Sequence, residues 1–301
     1  MTRRSWKDWA LAILAGALFL APVSGAELTP PFAAMNEPLA PFQIADNLYY
    51  VGARDVTSYL IVTKDGLILL DGGFEQSAPQ FLANVRTLGF DPKNIKFILN
   101  SHAHFDHAGG IAAIKSSTGA KFVASRQDQG ILEAGGHNDF ALHDAALFPP
   151  IKVDRVINDG ERLTLGGTVL TAHITAGHTK GCTTWTMPVT IDGKRQQVLF
   201  LCSLTVLPQF RLVGDPNYPE QAADFEKSFA TLRTLKCDVF LASHGSFFNL
   251  LAKRVKHLAG AKPNPFIDPV GCRAFFAQAE QNFDKRLKAC KTDPACTKPE
   301  D

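Results

Sequence analysis

An apolar run, Ile95-Lys96-Phe97-Ile98-Leu99, breaks into Asn100-Ser101-His102-Ala103-His104-Phe105-Asp106-His107, and no other stretch restricts the fold of this chain as tightly. The run has the length and side chains of a buried strand, so the polar residues begin where a strand opens into a loop. Packing three imidazoles and a carboxylate so closely without a cation costs desolvation and charge repulsion. In an extended segment His102 and His104 project to the same side, and a turn after them brings Asp106 and His107 to a neighbouring position. One loop can therefore feed two metals. Zinc suits these donors, because it accepts imidazole nitrogen and carboxylate oxygen and, in catalytic sites, keeps one position for water.

Such a loop needs partners from elsewhere in the chain. His178, in Ala176-Gly177-His178-Thr179, follows the strand-like run Val169 to Ile174, and His244, in Ala242-Ser243-His244-Gly245, follows Val239 to Leu241. Both repeat the strand-to-loop placement, so the ligands converge at one edge of the sheets. His137, His143, His173 and His257 have no such companions and read as ordinary polar residues.

The remaining pattern is α/β. Strand-like runs at Asn47 to Val51, Tyr59 to Thr63 and Leu67 to Leu70 precede a helical pattern at Ala78 to Leu88. Gly109 and Gly110 open a helix through about Ser117, Lys121 to Ala124 is a strand, and Gln127 to Ala134 is helical. Asp139 to Pro150 loses periodicity and reads as a long surface loop. Strands near Arg162 to Leu165, Val169 to Ile174, Thr183 to Met187 and Val198 to Leu201 then lead to a helix near Ala222 to Leu235 and a strand Val239 to Ala242. Two β-then-α halves packed sheet to sheet make one domain over residues 27–301.

Met1 to Ala26 is set apart from that domain. Arg3, Arg4 and Lys7 precede an apolar run from Trp9 to Leu20, and Ser24-Gly25-Ala26 offers a small-residue cleavage point, the pattern of a secretory signal peptide. The run is too short for a membrane-spanning helix, so no stable membrane association is expected. Arg3, Arg4 and Lys7 against Asp8 account for the whole formal charge of +2, leaving a neutral mature chain without the basic surplus of a nucleic-acid binder. Export to the periplasm permits disulfides among the six cysteines. Cys290 and Cys296 close a short C-terminal loop, and Cys237 and Cys272 flank the last third of the chain. Connectivity stays open, with a buried free thiol as the alternative. Cys182 and Cys202, each in or beside an apolar strand, read as such thiols.

The motif His102-x-His104-x-Asp106-His107, with Gly177-His178-Thr179 and a final His244, resembles the metallo-β-lactamase superfamily. The resemblance implies a four-layer αβ/βα sandwich with metals at one sheet edge. Hydrolases of the glyoxalase II type carry a bridging aspartate where this chain reads Cys202-Ser203-Leu204-Thr205. Its absence, the presence of His107, Pro41-Phe42, Asn47 to Gly52, Gly177 to Trp185 and the pair Cys237 and Cys272 resemble subclass B3 metallo-β-lactamases.

That resemblance implies two zinc ions, one held by His102, His104 and His178 and one by Asp106, His107 and His244. It implies attack by a zinc-bound hydroxide on the amide of a small-molecule β-lactam, and hence antibiotic resistance. Asp106 would act as ligand and also orient the hydroxide, while Ser203 and Thr205 would touch a bound water or the substrate carboxylate. Asp71, beside two glycines, either hydrogen-bonds a ligand histidine or caps a turn. Met35 stands where many members carry tryptophan, at the mouth of the site. Two other functions fit the same residues: an exported zinc hydrolase of lactones or thioesters, and a metal-binding paralogue without turnover. The sequence sets no oligomeric state.

Overall fold

A computed structural model describes residues 27–292. The leader assigned to Met1 to Ala26 lies outside the described residues, as does Cys296. Among the described residues no helix is long and apolar enough to cross a membrane.

The strands form two sheets. The first takes β1 (Phe42–Ala45), β2 (Leu48–Tyr50), β3 (Tyr59–Thr63), β4 (Gly66–Leu70), β5 (Ile95–Leu99), β6 (Lys121–Ser125) and β7 (Arg155–Ile157) in sequence order. Pairing is antiparallel from β1 to β4 and parallel from β4 to β7. The parallel half needs crossovers, and α2 (Ala78–Thr87), α3 (Phe105–Ala108), α4 (Ile111–Thr118) and α5 (Gln129–Glu133) fill them. The second sheet has β8 (Arg162–Leu165), β9 (Thr168–Ile174), β10 (Thr183–Ile191), β11 (Lys194–Leu201) and β12 (Val239–Ala242) in the order β12-β11-β10-β9-β8. Only β11 and β12 run parallel in it, joined through α6 (Gln221–Thr234).

Alternation along the strands sorts side chains into two cores. Tyr59 and Ile61 of β3, Ile68 and Leu70 of β4 and Leu99 of β5 meet Leu170, Trp185, Met187 and Phe200 of the second sheet. Leu60, Leu67, Leu69 and Ile98 point the other way, onto Leu82 and Val85 of α2 and Ile111 and Ile114 of α4. A sheet covered on both faces explains why these strands read as unbroken apolar runs. Phe225 and Phe229 of α6 pack with Phe276, Phe283 and Leu287 of α8 (Pro269–Thr292), which covers the second sheet's outer side. The order helix, sheet, sheet, helix is the expected αβ/βα sandwich. A short α1 (Pro30–Met35) precedes β1, and α7 (Leu250–Leu258) follows β12.

One expectation is overturned. Cys182 and Cys202 are bonded to each other as a disulfide, not free thiols. β10 and β11 form a hairpin in which Trp185 stands opposite Phe200, so residues just before β10 and just after β11 meet across the sheet with Cα atoms 5.8 Å apart. Cys237 and Cys272 form the second disulfide, tying the start of β12 to α8. Cys290 is disulfide-bonded as well.

Candidate active site

The site grows from the carboxyl ends of the strands. β4 ends at Leu70 and turns through Asp71, whose φ of 65° is in the left-handed region, into Gly72 and Gly73. Beside it β5 ends at Leu99, and the chain passes through His102 and His104 into the single turn of α3 that carries Asp106 and His107. The two turns interlock: Gly72 N donates to the His107 carbonyl at 2.9 Å, and Gly110 N to the Gly73 carbonyl at 3.1 Å. A Cβ on Gly110 would lie 2.2 Å from the Gly72 oxygen, so only glycine fits there.

Asp71 braces the neighbouring loop and faces a ligand histidine without bonding it. One carboxylate oxygen accepts from Ser101 N at 2.6 Å and Asn100 Nδ2 at 3.2 Å, bracing the loop, while the other lies 3.6 Å from His107 Nδ1. The second sheet contributes the remaining histidines. Thr183 N donates to the Ser101 carbonyl at 2.7 Å and Trp185 Nε1 to the Asn100 carbonyl at 3.1 Å, which seats the β5 loop against β10. His178 enters from the turn between β9 and β10, and His244 from the end of β12.

All six residues singled out by the sequence meet here. Donor atoms of His102, His104 and His178 lie within 4.8 Å of one another, and so do those of His102, Asp106 and His107. The ring centroids of His102, His104 and His178 are 4.8 to 4.9 Å apart. Around a second point, His107 Nε2 is 3.1 Å from His244 Nε2 and 3.1 Å from Asp106 Oδ2, and His244 Nε2 is 3.4 Å from the same oxygen. Three electron-pair donors this close require a proton or a cation between them.

Burial and neighbouring charge set the protonation states. Burial, then the charges of His107 and His178, drive the His102 pKa well down. Burial and His104 do the same to His178, and burial brings His104 to about 4. All three are neutral imidazoles at pH 7, the form that binds metal. At the second point burial opposes both charges, yet Asp106 and His107 hold each other ionised: the carboxyl stays well below its usual range and the imidazole rises to about 10. At the second point the proton on His107 stands where a cation would replace it, so the donor chemistry fits a cation at each point.

Sequence reasoning missed three carboxylates behind these rings. Asp55 accepts from His244 Nδ1 at 3.0 Å and from Ser246 N at 2.7 Å, which leaves His244 Nε2 facing the cluster. Asp128 accepts from Ala103 N, Thr179 Oγ1 and Gly181 N at 3.0, 2.9 and 2.7 Å, clasping the His102–His104 loop to the His178 turn. Asp139, at the start of the long surface loop, stands 4.0 Å from His104 Nε2. Asp55 lies 189 residues from His244 and carries no local signal. Asp128 and Asp139 flank the motif's neighbours only in space.

Ser203 and Thr205 are placed differently from each other. Ser203 is buried, its hydroxyl accepting from Thr205 N at 3.2 Å; Thr205 is exposed and its carbonyl accepts from His178 Nδ1 at 2.7 Å. Met35 packs with Phe74 and Phe81, and its carbonyl accepts from Asp55 N and Val56 N at 3.0 and 3.2 Å. His173 and His257 bond Thr186 Oγ1 and the Gln43 carbonyl, away from the cluster. A cavity of about 320 Å³ opens beside it, lined by Ala103, Asp128, Asp139, Phe140, Thr179 and Lys180 among others.

Residues 51–244 match the family model described as "Metallo-beta-lactamase superfamily", a stretch that spans every residue of the cluster. The chain belongs to the metallo-beta-lactamase superfamily. Among solved structures it is similar to the native FEZ-1 metallo-beta-lactamase from Legionella gormanii, at 44% identity and TM-score 0.84, covering 86% of this chain and 99% of that one. It is also similar to BJP-1, a subclass B3 metallo-beta-lactamase of Bradyrhizobium japonicum, at 42% identity and TM-score 0.80, covering 86% and 97%. A hydroxyacylglutathione hydrolase of Maricaulis maris is 35% identical over 100 residues, 33% of this chain and 31% of that protein. The chain spans about a third of the length of the first curated relatives it matches.

Proposed function

We propose that this chain is a zinc-dependent hydrolase of β-lactams, exported to the periplasm behind a cleaved leader at Met1 to Ala26 and folded as one domain over 27–301. His102, His104 and His178 would hold one zinc ion, and Asp106, His107 and His244 a second. A zinc pair, when bound, supplies a water ionised near neutral pH and an electrophile for a carbonyl oxygen. The chain's own residues set the stage for that chemistry. The Thr205 carbonyl and Asp55 take the Nδ1 protons of His178 and His244, so that both present an Nε2 lone pair. Asp106 adds the carboxylate of the second set and, at the centre of the cluster, orients the attacking water. Thr205, exposed beside His178, would contact the substrate carboxylate, while Ser203, buried with its hydroxyl on Thr205 N, would hold that turn in place.

The observation that carries this reading is the pairing of two donor sets on one loop, His102 and His104 with His178, Asp106 and His107 with His244. The solved metallo-beta-lactamases, which align over nearly their whole length, support β-lactams over thioesters, whose hydrolase aligns over a third of its length. Purified zinc-loaded protein should hydrolyse a chromogenic cephalosporin and lose that activity to a chelator. Chelator-sensitive turnover confined to lactones or thioesters would shift the substrate, and no turnover on any of them would leave a metal-binding protein. Resistance in a host expressing the chain follows from the first outcome alone.

A further inference from the structure

His102 belongs to three donor sets at once. Besides the two already described, its ring lies within 4.8 Å of the sulfurs of both Cys182 and Cys202. Those sulfurs are fully buried directly behind the β5 loop, with Cys202 Sγ 3.3 Å from the Ser101 carbonyl. As a disulfide the pair has no charge and little affinity for metals. As two thiols, the same residues with His102 make a Cys2His donor set, softer than the imidazole cluster beside it. Two thiolates bound to one ion at about 2.3 Å stand roughly 3.8 Å apart, a spacing open to cysteines whose Cα atoms are 5.8 Å apart.

We propose that the dithiol form of this chain carries a separate metal site, Cys182, Cys202 and His102, for a thiophilic cation, and that closing the disulfide returns His102 to the imidazole cluster. The inference rests on the zinc reading only for the consequence to His102. A newly made chain has the dithiol form before oxidation. Each thiol loses its proton to solvent as it takes the ion. Exchange with an external disulfide then joins the two sulfurs, frees the ion to solvent and removes two of its three donors, and the external disulfide leaves as two thiols that take their protons from solvent. The disulfide would therefore act as a guard on a catalytic ligand as well as a brace.

The probe is cadmium alone, read by its ultraviolet thiolate-to-cadmium charge-transfer absorbance. The full chain is unfolded and reduced with a phosphine, refolded without oxygen and titrated. The oxidised protein serves as a control that needs no mutation. Reduced wild type should show the band and reduced Cys237→Ser/Cys272→Ser should keep it. The band should lose its Cys182 and Cys202 share in reduced Cys182→Ser/Cys202→Ser, leaving only what the other four thiols give, and fall to baseline on reoxidation of wild type, and His102→Ala should weaken cadmium binding at least tenfold. Cadmium NMR on reduced wild type, which separates sulfur-bound from nitrogen-bound ions, keeps the test open if the double serine variant does not fold. An unchanged band in that variant, only nitrogen-bound cadmium by NMR, or unaltered affinity in His102→Ala would overturn the proposal. Zinc binding by the oxidised protein is a separate measurement, so failure here would leave the hydrolase reading standing.

Discussion

Replacing Asp55 by alanine separates the two donor sets. Its carboxylate is the partner of His244 Nδ1 at 3.0 Å and of Ser246 N at 2.7 Å, and it stands at 22% side-chain exposure. Burial alone would raise its pKa, but the hydrogen bond and charge of His244 hold it below the ordinary carboxylate value, so at neutral pH it is an anion fixing the tautomer of that ring. Removing a partner of this kind typically lowers metal affinity 10- to 100-fold, or about 1.4 to 2.7 kcal/mol. The loss should fall on one site only, because Asp55 touches nothing in the set made by His102, His104 and His178. Zinc competition against a chromophoric chelator resolves the two affinities. The expected result is a second site weakened by that factor beside an unchanged first site, with Asp55→Asn, which keeps an acceptor oxygen, lying between. Equal weakening of both sites, or of neither, would refute the reasoning from tautomer and orientation.

Other perturbations reach the supports of the site. Asp71→Ala leaves Ser101 N and Asn100 Nδ2 buried without their acceptor, and should cost about 2 to 6 kcal/mol by urea unfolding, at 1 to 3 per abandoned group. Burial pushes the Asp128 carboxyl up to about 6 from its ordinary 3.8. The folded chain therefore holds a proton that the unfolded chain releases, and stability should fall as pH rises from about 4 to about 6, by up to roughly 3 kcal/mol. Asp128→Asn should flatten that slope in unfolding midpoints taken across the range, and an unchanged slope would assign it to another group. Opening the Cys182–Cys202 bridge, which spans 20 residues of chain, should cost about 3 kcal/mol, read as a lower Tm in Cys182→Ala/Cys202→Ala with intact circular dichroism. His178→Ala should lower zinc stoichiometry and turnover together; full turnover in that variant would show that another residue completes the first set.

What the sequence announced and what it hid divide along a physical line. Ligands stood out because each sits where an apolar strand run stops, and strand termination is a local signal. The β4 and β5 runs were legible for the same reason, being buried on both faces. The supports were not legible: Asp55, Asp128 and Asp139 reach their partners through tertiary packing, across 189 residues in the case of Asp55 and His244. The Cys182–Cys202 bridge depended on the register of one hairpin, which spacing alone does not give. β1 passed unread because four residues in the proline-bearing lead gain their strand form from pairing with β2. α8 also went unread, although Cys272, Phe276, Phe283, Leu287 and Cys290 keep helical spacing, since the polar residues between them dilute the stripe. Hydroxyl chemistry was the least legible: the Ser203 side chain closes a turn onto Thr205 N, while Thr205 reaches His178 through a backbone carbonyl.

A metal count on the folded, oxidised protein at controlled free zinc, with cephalosporin turnover followed in the same samples, tests the central assignment most directly. Wild type should bind two zinc ions per chain, His178→Ala and His244→Ala one each, and turnover should fall with each lost ion and return to wild type alone when zinc is restored after chelation. Two ions retained in both variants, or turnover indifferent to the count, would contradict it.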